Sequence, residues 1–365
     1  MVETGNSVAA GRKRQLVTQA ACPLNNSSGA RNVDTFGNQR KEFTFHNVAS
    51  VLHTVGLLQK RRSGGPRERC YADAVRLHLV DGTYELFRAH FAPRPDHRDP
   101  AGRDAKATVG VVESMLALLR DPSETVTHIA IAFDNPIRSF RNDLYAGYKS
   151  DEGVPPELRA QFDRVEDAVR ALGIVAWPMR EYEADDGLAS AARKFRDQVD
   201  QVRILTPDKD LGQCLVDQRV VQVDRRQRKM IDEAAFRLER GFAPSSMPDF
   251  LALAGDSADG FPGLPGFGKK ISSLLLGEYE HLEGIPIDGR KWPSKIAGVM
   301  RLAATFDQHR ADALLYRTLA TLIDSIEIPE TLDDIEFRGV PRERFERWCD
   351  ELGAARLKTV PTRWR

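Results

Sequence analysis

Val75-Arg76-Leu77-His78-Leu79-Val80-Asp81-Gly82 alternates, turns apolar and stops on an acid followed by glycine, the pattern of a buried strand running into a turn. The same event recurs downstream. His128-Ile129-Ala130-Ile131-Ala132-Phe133 ends on Asp134, and Val202-Arg203-Ile204-Leu205-Thr206 runs into Asp208 and Asp210. Between them Ile174-Val175-Ala176-Trp177 reads as a short strand, and Glu183-Ala184-Asp185-Asp186 opens a helix through Phe195. Residues 106 to 120 carry Val109, Val112, Leu116 and Leu119 at helical spacing, and 158 to 172 predict a second helix. Strands alternating with helices predict an α/β fold: a mostly parallel sheet flanked by helices, with ligands bound beyond the carboxyl ends of the strands. The acids fall at those ends again and again.

From about residue 232 the strands stop and the chain becomes helical, with one short extended piece near Ile335 to Phe337. Gly263-Leu264-Pro265-Gly266-Phe267-Gly268-Lys269-Lys270 is a glycine-rich hairpin opening a helix over Ile271 to Leu276. Residues 1–73 differ from the rest, being rich in Asn, Ser, Gly, Arg and Lys, and are expected to form a disordered basic extension. Lys+Arg and Asp+Glu both total 53, so the formal charge is zero, which leaves nucleic acid open because binding depends on where the charges sit. Cys22, Cys70, Cys214 and Cys349 are far apart, which excludes a zinc knuckle and a disulfide framework. No apolar run approaches the roughly 20 residues of a membrane span. A cytoplasmic, nucleoid-associated monomer is the expectation.

Asp81, Asp134, Glu183, Asp185, Asp186, Asp208 and Asp210 come from four segments, and Asp256 and Asp259 lie just before the glycine hairpin. Singly each has an ordinary explanation: a plain turn, helix N-terminal charge, a surface loop. Together on one face they would repel unless cations sat among them. Oxygen ligands without His or Cys suit Mg²⁺ or Mn²⁺. Two such ions roughly 4 Å apart stabilise the attacking and leaving oxygens of a phosphodiester displacement.

Residues 75 to about 285 resemble the 5′ nuclease family, which includes the N-terminal nuclease domain of bacterial DNA polymerase I, phage 5′ nucleases and flap endonucleases. The resemblance rests on Leu79-Val80-Asp81-Gly82, Phe133-Asp134, Ser139-Phe140-Arg141, Gly147-Tyr148-Lys149, Glu183-Ala184-Asp185-Asp186, Asp208-Lys209-Asp210, and Gly255-Asp256 through Lys269. It implies a PIN-like nuclease core at 74–231 with an arch at about 138–162. A helix–three-turn–helix (helix-hairpin-helix) DNA-binding subdomain follows at 232–290, and a C-terminal helical region at 291–365 closes it. By resemblance Asp81, Asp134, Glu183, Asp185 and Asp208 or Asp210 line the first metal position, and Asp186, Asp256 and Asp259 complete the second. Arg141 and Lys149 match the basic pair that contacts the scissile phosphate, where cations offset charge on the phosphate oxygens.

Tyr145 and Tyr148 in the arch are candidates to stack on an unpaired base, or else packing residues. Gly263, Gly266, Gly268, Lys269 and Lys270 fit a sequence-neutral phosphate grip, in which the family implies a potassium ion. Two departures stand out: Gly260 follows Asp259 where asparagine is usual, and Asn135 follows Asp134 where a small residue is common. The function implied is a free-standing, structure-specific 5′→3′ exonuclease and flap endonuclease of replication and repair. It would act on branched, nicked or flapped DNA and on RNA–DNA hybrid, beside a separate DNA polymerase or sliding clamp. A non-catalytic DNA-junction binder and a PIN-type RNase are the alternatives.

Overall fold

In the computed structural model, which describes residues 74–365, side-chain alternation along the first strand feeds two cores at once. The extension expected at 1–73 lies outside the described residues. Strand β1 (Arg76–Asp81) sends Leu77 and Leu79 to one face and Val80 to the other. It is joined by β2 (His128–Asp134), β3 (Val175–Met179), β4 (Gln201–Leu205), β5 (Val220–Asp224) and β6 (Lys229–Ile231). Their spatial order is β3-β2-β1-β4-β5-β6, parallel throughout except for β6. Pro178 is tolerated because β3 is an edge strand. The β5–β6 hairpin was not read from the sequence. Its turn, Asp224 to Arg228, is a run of polar residues, and β6 is three residues long with Lys229 and Met230 exposed.

Helices α1 (Gly82–Phe91) and α2 (Lys106–Arg120) lie on the Val80 side of the sheet. After two single-turn pieces, α3 (Arg141–Leu144) and α4 (Pro156–Arg159), helix α5 (Phe162–Ala171) joins them there. The opposite face is covered by α6 (Ala184–Phe195), through Leu188, Ala191, Ala192 and Phe195. The chain then builds a separate apolar core from α7 (Glu233–Arg240), α8 (Met247–Ala254), α9 (Lys269–Tyr279), α10 (Val299–Gln308) and α11 (Arg310–Ala320), centred on residues such as Phe250, Phe267 and Phe306. No described helix is long and apolar enough to cross a membrane.

The region 291–365 departs from the expectation that it closes the helical subdomain. Only its first part, Trp292 and Ile296 with α10 and α11, does so. Ile328 and Ile335 return to the α6 side of the sheet, while Phe337 and Val340, with Phe345 and Trp348 of α12 (Arg342–Glu351), pack on the α1–α2 side. Phe337 N donates to Thr127 O at 2.9 Å, beside the start of β2. Apolar side chains without a helical period found their burial on the sheet.

Arg141, at the start of α3, joins these parts. It is fully buried, and its Nη1 and Nη2 donate to Asp186 Oδ2 and Oδ1 at 2.7 Å each. Its Nε donates to Leu319 O (2.8 Å) and Nη2 to Thr321 O (2.9 Å), at the end of α11. Asp186 also accepts from Glu183 N (3.0 Å) and Ile323 N (2.8 Å). Halving such a pair leaves a buried charge without compensation. Arg141→Met is therefore expected to lower the unfolding free energy by about 3–5 kcal/mol in urea denaturation. Adding Asp186→Leu should recover part of that loss. A loss under about 1 kcal/mol for the single variant would mean that the pair behaves as an exposed one.

Candidate metal centre

Because β1, β2 and β4 run parallel, their carboxyl ends meet at one edge of the sheet. Asp81 ends β1 and caps α1, its Oδ1 accepting from Tyr84 N (2.8 Å) and its Oδ2 from Thr206 Oγ1 (2.9 Å). Asp134 ends β2 and accepts from Ala184 N (2.6 Å), which stitches the start of α6 to that strand. Asp185 lies in the first turn of α6. Asp208 caps a short 3₁₀ turn, Lys209–Cys214, by accepting from Asp210 N (2.9 Å). Asp256 and Asp259 come from the loop after α8, and Asp256 Oδ1 accepts from Ala258 N (2.9 Å).

Electrostatics join these acids into one set. Burial, then the neighbouring charges of Asp134 and Asp208, pushes the Asp81 carboxyl up to about 7. Burial also raises Asp185 well above the usual carboxylate range, with Asp208, Asp81 and Asp134 adding to the shift. Asp134 is raised by burial, with Glu183 contributing. Asp210 is raised strongly by burial and then by Asp208, and Asp259 is raised by burial and by Glu183. Glu183 moves the other way: against its burial, Lys149 and Arg141 hold it below its ordinary value.

Two lysines enter the cleft. Lys149 Nζ stands 2.7 Å from Glu183 Oε2 and 3.2 Å from Asp259 Oδ1. Lys209 Nζ stands 2.6 Å from Asp256 Oδ2 and 3.4 Å from Asp210 Oδ1. Asp210, Asp256 and Asp259, all buried, offer ligand oxygens within 4.8 Å of one another. Asp210 Oδ1 is buried without a hydrogen-bond partner. A donor set of carboxylates alone, with one orphaned buried oxygen, fits a hard divalent cation.

Several residues expected in this centre sit elsewhere. Asp186 is no ligand, since both its oxygens are held by Arg141 and by backbone amides in the interior. Arg141 is likewise no phosphate contact, because burial and the same pairing withdraw it from solvent. Tyr148 is buried with its hydroxyl 3.3 Å from Glu183 Oε2, and burial raises its phenol, so it packs and does not stack on a base. Tyr145 lies half-buried, edge-on to Tyr316. Of the two candidates Asp208 and Asp210, it is Asp210 that groups with Asp256 and Asp259, while remaining next to Asp208.

In the glycine hairpin, Gly263 is buried against Gly255: a Cβ at Gly263 would lie 2.3 Å from Gly255 N. It serves the loop's own packing. Gly266, Gly268, Lys269 and Lys270 are exposed around the start of α9, and space beyond Gly268 is open. The two departures also find places. Gly260 has φ +88° and a Cβ there would lie 2.1 Å from Gly147 O, while Lys149 N donates to Asp259 O at 3.0 Å. Asn135 Nδ2 donates to Asp163 Oδ1 and Glu166 Oε1, both at 2.7 Å, bracing α5.

Three contributors escaped the sequence reading. Thr206 steadies Asp81, and its signal was a hydroxyl residue closing β4. Lys209 was visible only as the middle of Asp-Lys-Asp. A groove of about 780 Å³ is lined by Arg88, Arg94, Arg225, Arg226, Arg228 and Lys229, which outnumber the Glu113, Asp121 and Glu124 that also line it. The run Arg225-Arg226-Gln227-Arg228-Lys229 was its sequence signal.

Comparison with known proteins gives concordant matches. Residues 76–241 match the family described as 5′-3′ exonuclease, N-terminal resolvase-like domain, and residues 242–343 match 5′-3′ exonuclease, C-terminal SAM fold. The 5′-3′ exonuclease of Bacillus subtilis (strain 168) is 33% identical over 291 residues, which cover 78% of this chain and 94% of that protein. DNA polymerase I of Bacillus caldotenax is 31% identical over 284 residues, covering 76% of this chain. The chain spans about a third of the length of the DNA polymerase I relatives, 31% in that case. Among solved structures, T5 5′-exonuclease with bound zinc has the same fold, with a TM-score of 0.53 at 19% identity over 77% of this chain and 99% of that one.

The raised carboxyls fix the sign of a pH effect. Without metal, Asp81 binds its proton up to about pH 7 in the fold but only to near 3.8 when unfolded. Over that window the unfolded chain binds fewer protons, so stability from this group is lost as pH rises. In chelator, the thermal midpoint of Asp81→Asn relative to wild type should therefore rise between about pH 5 and pH 8. Added Ca²⁺ should raise the wild-type midpoint more at the higher pH, because it binds the ionised acids. Midpoint differences independent of pH would contradict this account.

Proposed function

The chain belongs to the 5′-3′ exonuclease family, and on that premise we propose that it hydrolyses DNA phosphodiesters as a structure-specific 5′→3′ exonuclease and flap endonuclease. Flapped, nicked and branched DNA are its proposed substrates, with RNA primers on DNA as a further one, and Mg²⁺ or Mn²⁺ as its ions. The observation that carries this reading is two neighbouring groups of buried acids: Asp81, Asp134 and Asp185, raised by burial and by each other and Asp208, and Asp210, Asp256 and Asp259, whose oxygens lie within 4.8 Å of one another. Such a site needs more positive charge than two lysines provide.

Divalent ions held there would lower the pKa of water and stabilise the attacking and leaving oxygens of an in-line displacement. The residues supply the rest. Asp81 and Asp134 are fixed by amide and hydroxyl donors, so their free lone pairs point from rigid strand ends. Lys149 keeps its charge, since Glu183 and Asp259 hold its ammonium well above the ordinary value against the effect of burial. Part of its side chain reaches solvent at the cleft, where it would offset charge on the phosphate oxygens. Lys269, Lys270 and the free amides of the first turn of α9 would grip a phosphate backbone without reading bases. The arginine-rich groove beside β5 and β6 supports binding of a second duplex arm, as a nicked or flapped junction requires.

Two experiments test the reading. Asp185→Asn should lower Mg²⁺-dependent cleavage of a 5′-labelled flap substrate by about a hundredfold or more. Its affinity for that DNA in chelator should stay close to wild type. Unchanged cleavage would remove Asp185 from the centre, and cleavage by wild type without any divalent ion would remove the metal mechanism. Lys269→Ala with Lys270→Ala should weaken binding to all sequences alike and flatten the salt dependence by about 0.9 in log–log slope per lost phosphate contact. An unchanged slope would take the hairpin off the DNA.

A further inference from the structure

Lys209 sits between two acids of the centre, in Asp208-Lys209-Asp210, on a 3₁₀ turn that Asp208 caps. Its ammonium lies between Asp256 Oδ2 (2.6 Å) and Asp210 Oδ1 (3.4 Å). The other oxygen of Asp256 is committed to Ala258 N, so the lysine has taken the one that is free. Asp210 Oδ1 is the orphan noted above. The ammonium thus occupies the gap between two of the three carboxylates that offer a common ligand position. A cation coordinated by these oxygens at about 2.0–2.6 Å leaves no room for an ammonium at the same place. Lys209 keeps 32% of its side chain exposed, so it has a route to solvent that disturbs no core.

We propose that Lys209 is a built-in substitute for the second divalent ion: it holds Asp210 and Asp256 together when the ion is absent, and is expelled to solvent when the ion binds. The inference rests on the metal reading of these acids and goes beyond it, by assigning a competitor for the position. Three clustered carboxylates repel when ionised unless a counter-charge stands among them, and one ammonium supplies part of it. A divalent ion supplies more, and must displace the amine to do so. The position is thereby preserved at low ion concentration, and its affinity is weakened by the competition. Lys149 reaches one member of the same trio, Asp259, and holds Glu183 as well, so the two lysines guard different oxygens.

The test reads the amine itself. Wild-type protein is labelled with an amine-reactive acetylating agent with and without Ca²⁺, which replaces Mg²⁺ without requiring turnover, and each lysine is quantified by mass spectrometry. Labelling of Lys209 is expected to rise about tenfold on saturation with Ca²⁺, while Lys229 of β6, which pairs with Glu239 of α7, should not change. In calorimetry, Lys209→Met should bind the weaker Ca²⁺ about tenfold more tightly, and Lys229→Met should bind as wild type does. If Lys209→Met does not fold, Lys209→Gln is read in the same way. Labelling that stays constant or falls with Ca²⁺ would overturn the proposal, as would a Lys209 variant that binds Ca²⁺ no more tightly than wild type. Asp256→Asn separates the two levels of inference. If it leaves the weaker Ca²⁺ isotherm intact, the ion does not bind at these acids, and the metal reading of this position falls with the proposal.

Discussion

Carboxylates whose oxygens lie within 5 Å of one another repel by on the order of 3 kcal/mol per ionised pair at the effective dielectric of a protein cleft. Asp210, Asp256 and Asp259 lie that close, Asp81, Asp134, Glu183, Asp185 and Asp208 gather at the adjoining edge of the sheet, and the local structure is arranged around that repulsion. Backbone amides at the starts of α1 and α6 donate to Asp81 and Asp134, placing partial positive charge where these acids need it. Thr206 adds a hydroxyl, and Lys149 and Lys209 add full charges. Burial, together with the repulsion these donors leave uncompensated, appears as carboxyls that keep their protons above the usual range. A polyanionic substrate would make matters worse without cations, so metal and nucleic acid are linked by charge before any chemistry occurs.

Glu183 touches both the cleft and its scaffold. It accepts from Ser139 Oγ (2.7 Å) and pairs with Lys149 on the cleft side, while Arg141 approaches to 3.3 Å from within. Behind it the Arg141–Asp186 pair ties α3, α6 and the end of α11. An arginine suits this role because its planar fork satisfies both oxygens of Asp186 and still reaches two carbonyls, which a lysine could not do. Motifs that read alike in sequence, Arg141 with Lys149 and Asp185 with Asp186, are thus divided between fold and site.

That division explains what the sequence could and could not disclose. Strand ends that repeatedly stop on acids made the parallel sheet and its reactive edge legible, since hydrophobic period and charge placement are local properties. The side-chain partition was not, because adjacent residues at the start of a helix point in different directions and only tertiary packing decides which faces the cleft. Tyr148 and Gly263 illustrate the same limit: an aromatic and a glycine suited to touching DNA are used for packing. The β5–β6 hairpin was hidden by its length and by a charged turn. The return of residues 326–348 to the sheet depends on contacts more than a hundred residues away in sequence.

The approach of Gly260 to Gly147 has a mechanical consequence. With no side chain on either, the peptide that carries Lys149 lies directly on the loop that carries Asp259, and a backbone hydrogen bond fastens them. The amine and the acid are therefore mounted on a common bracket and cannot be adjusted one at a time. A displacement of residues 147–149 is therefore passed through one backbone hydrogen bond to an acidic loop more than a hundred positions further along the chain.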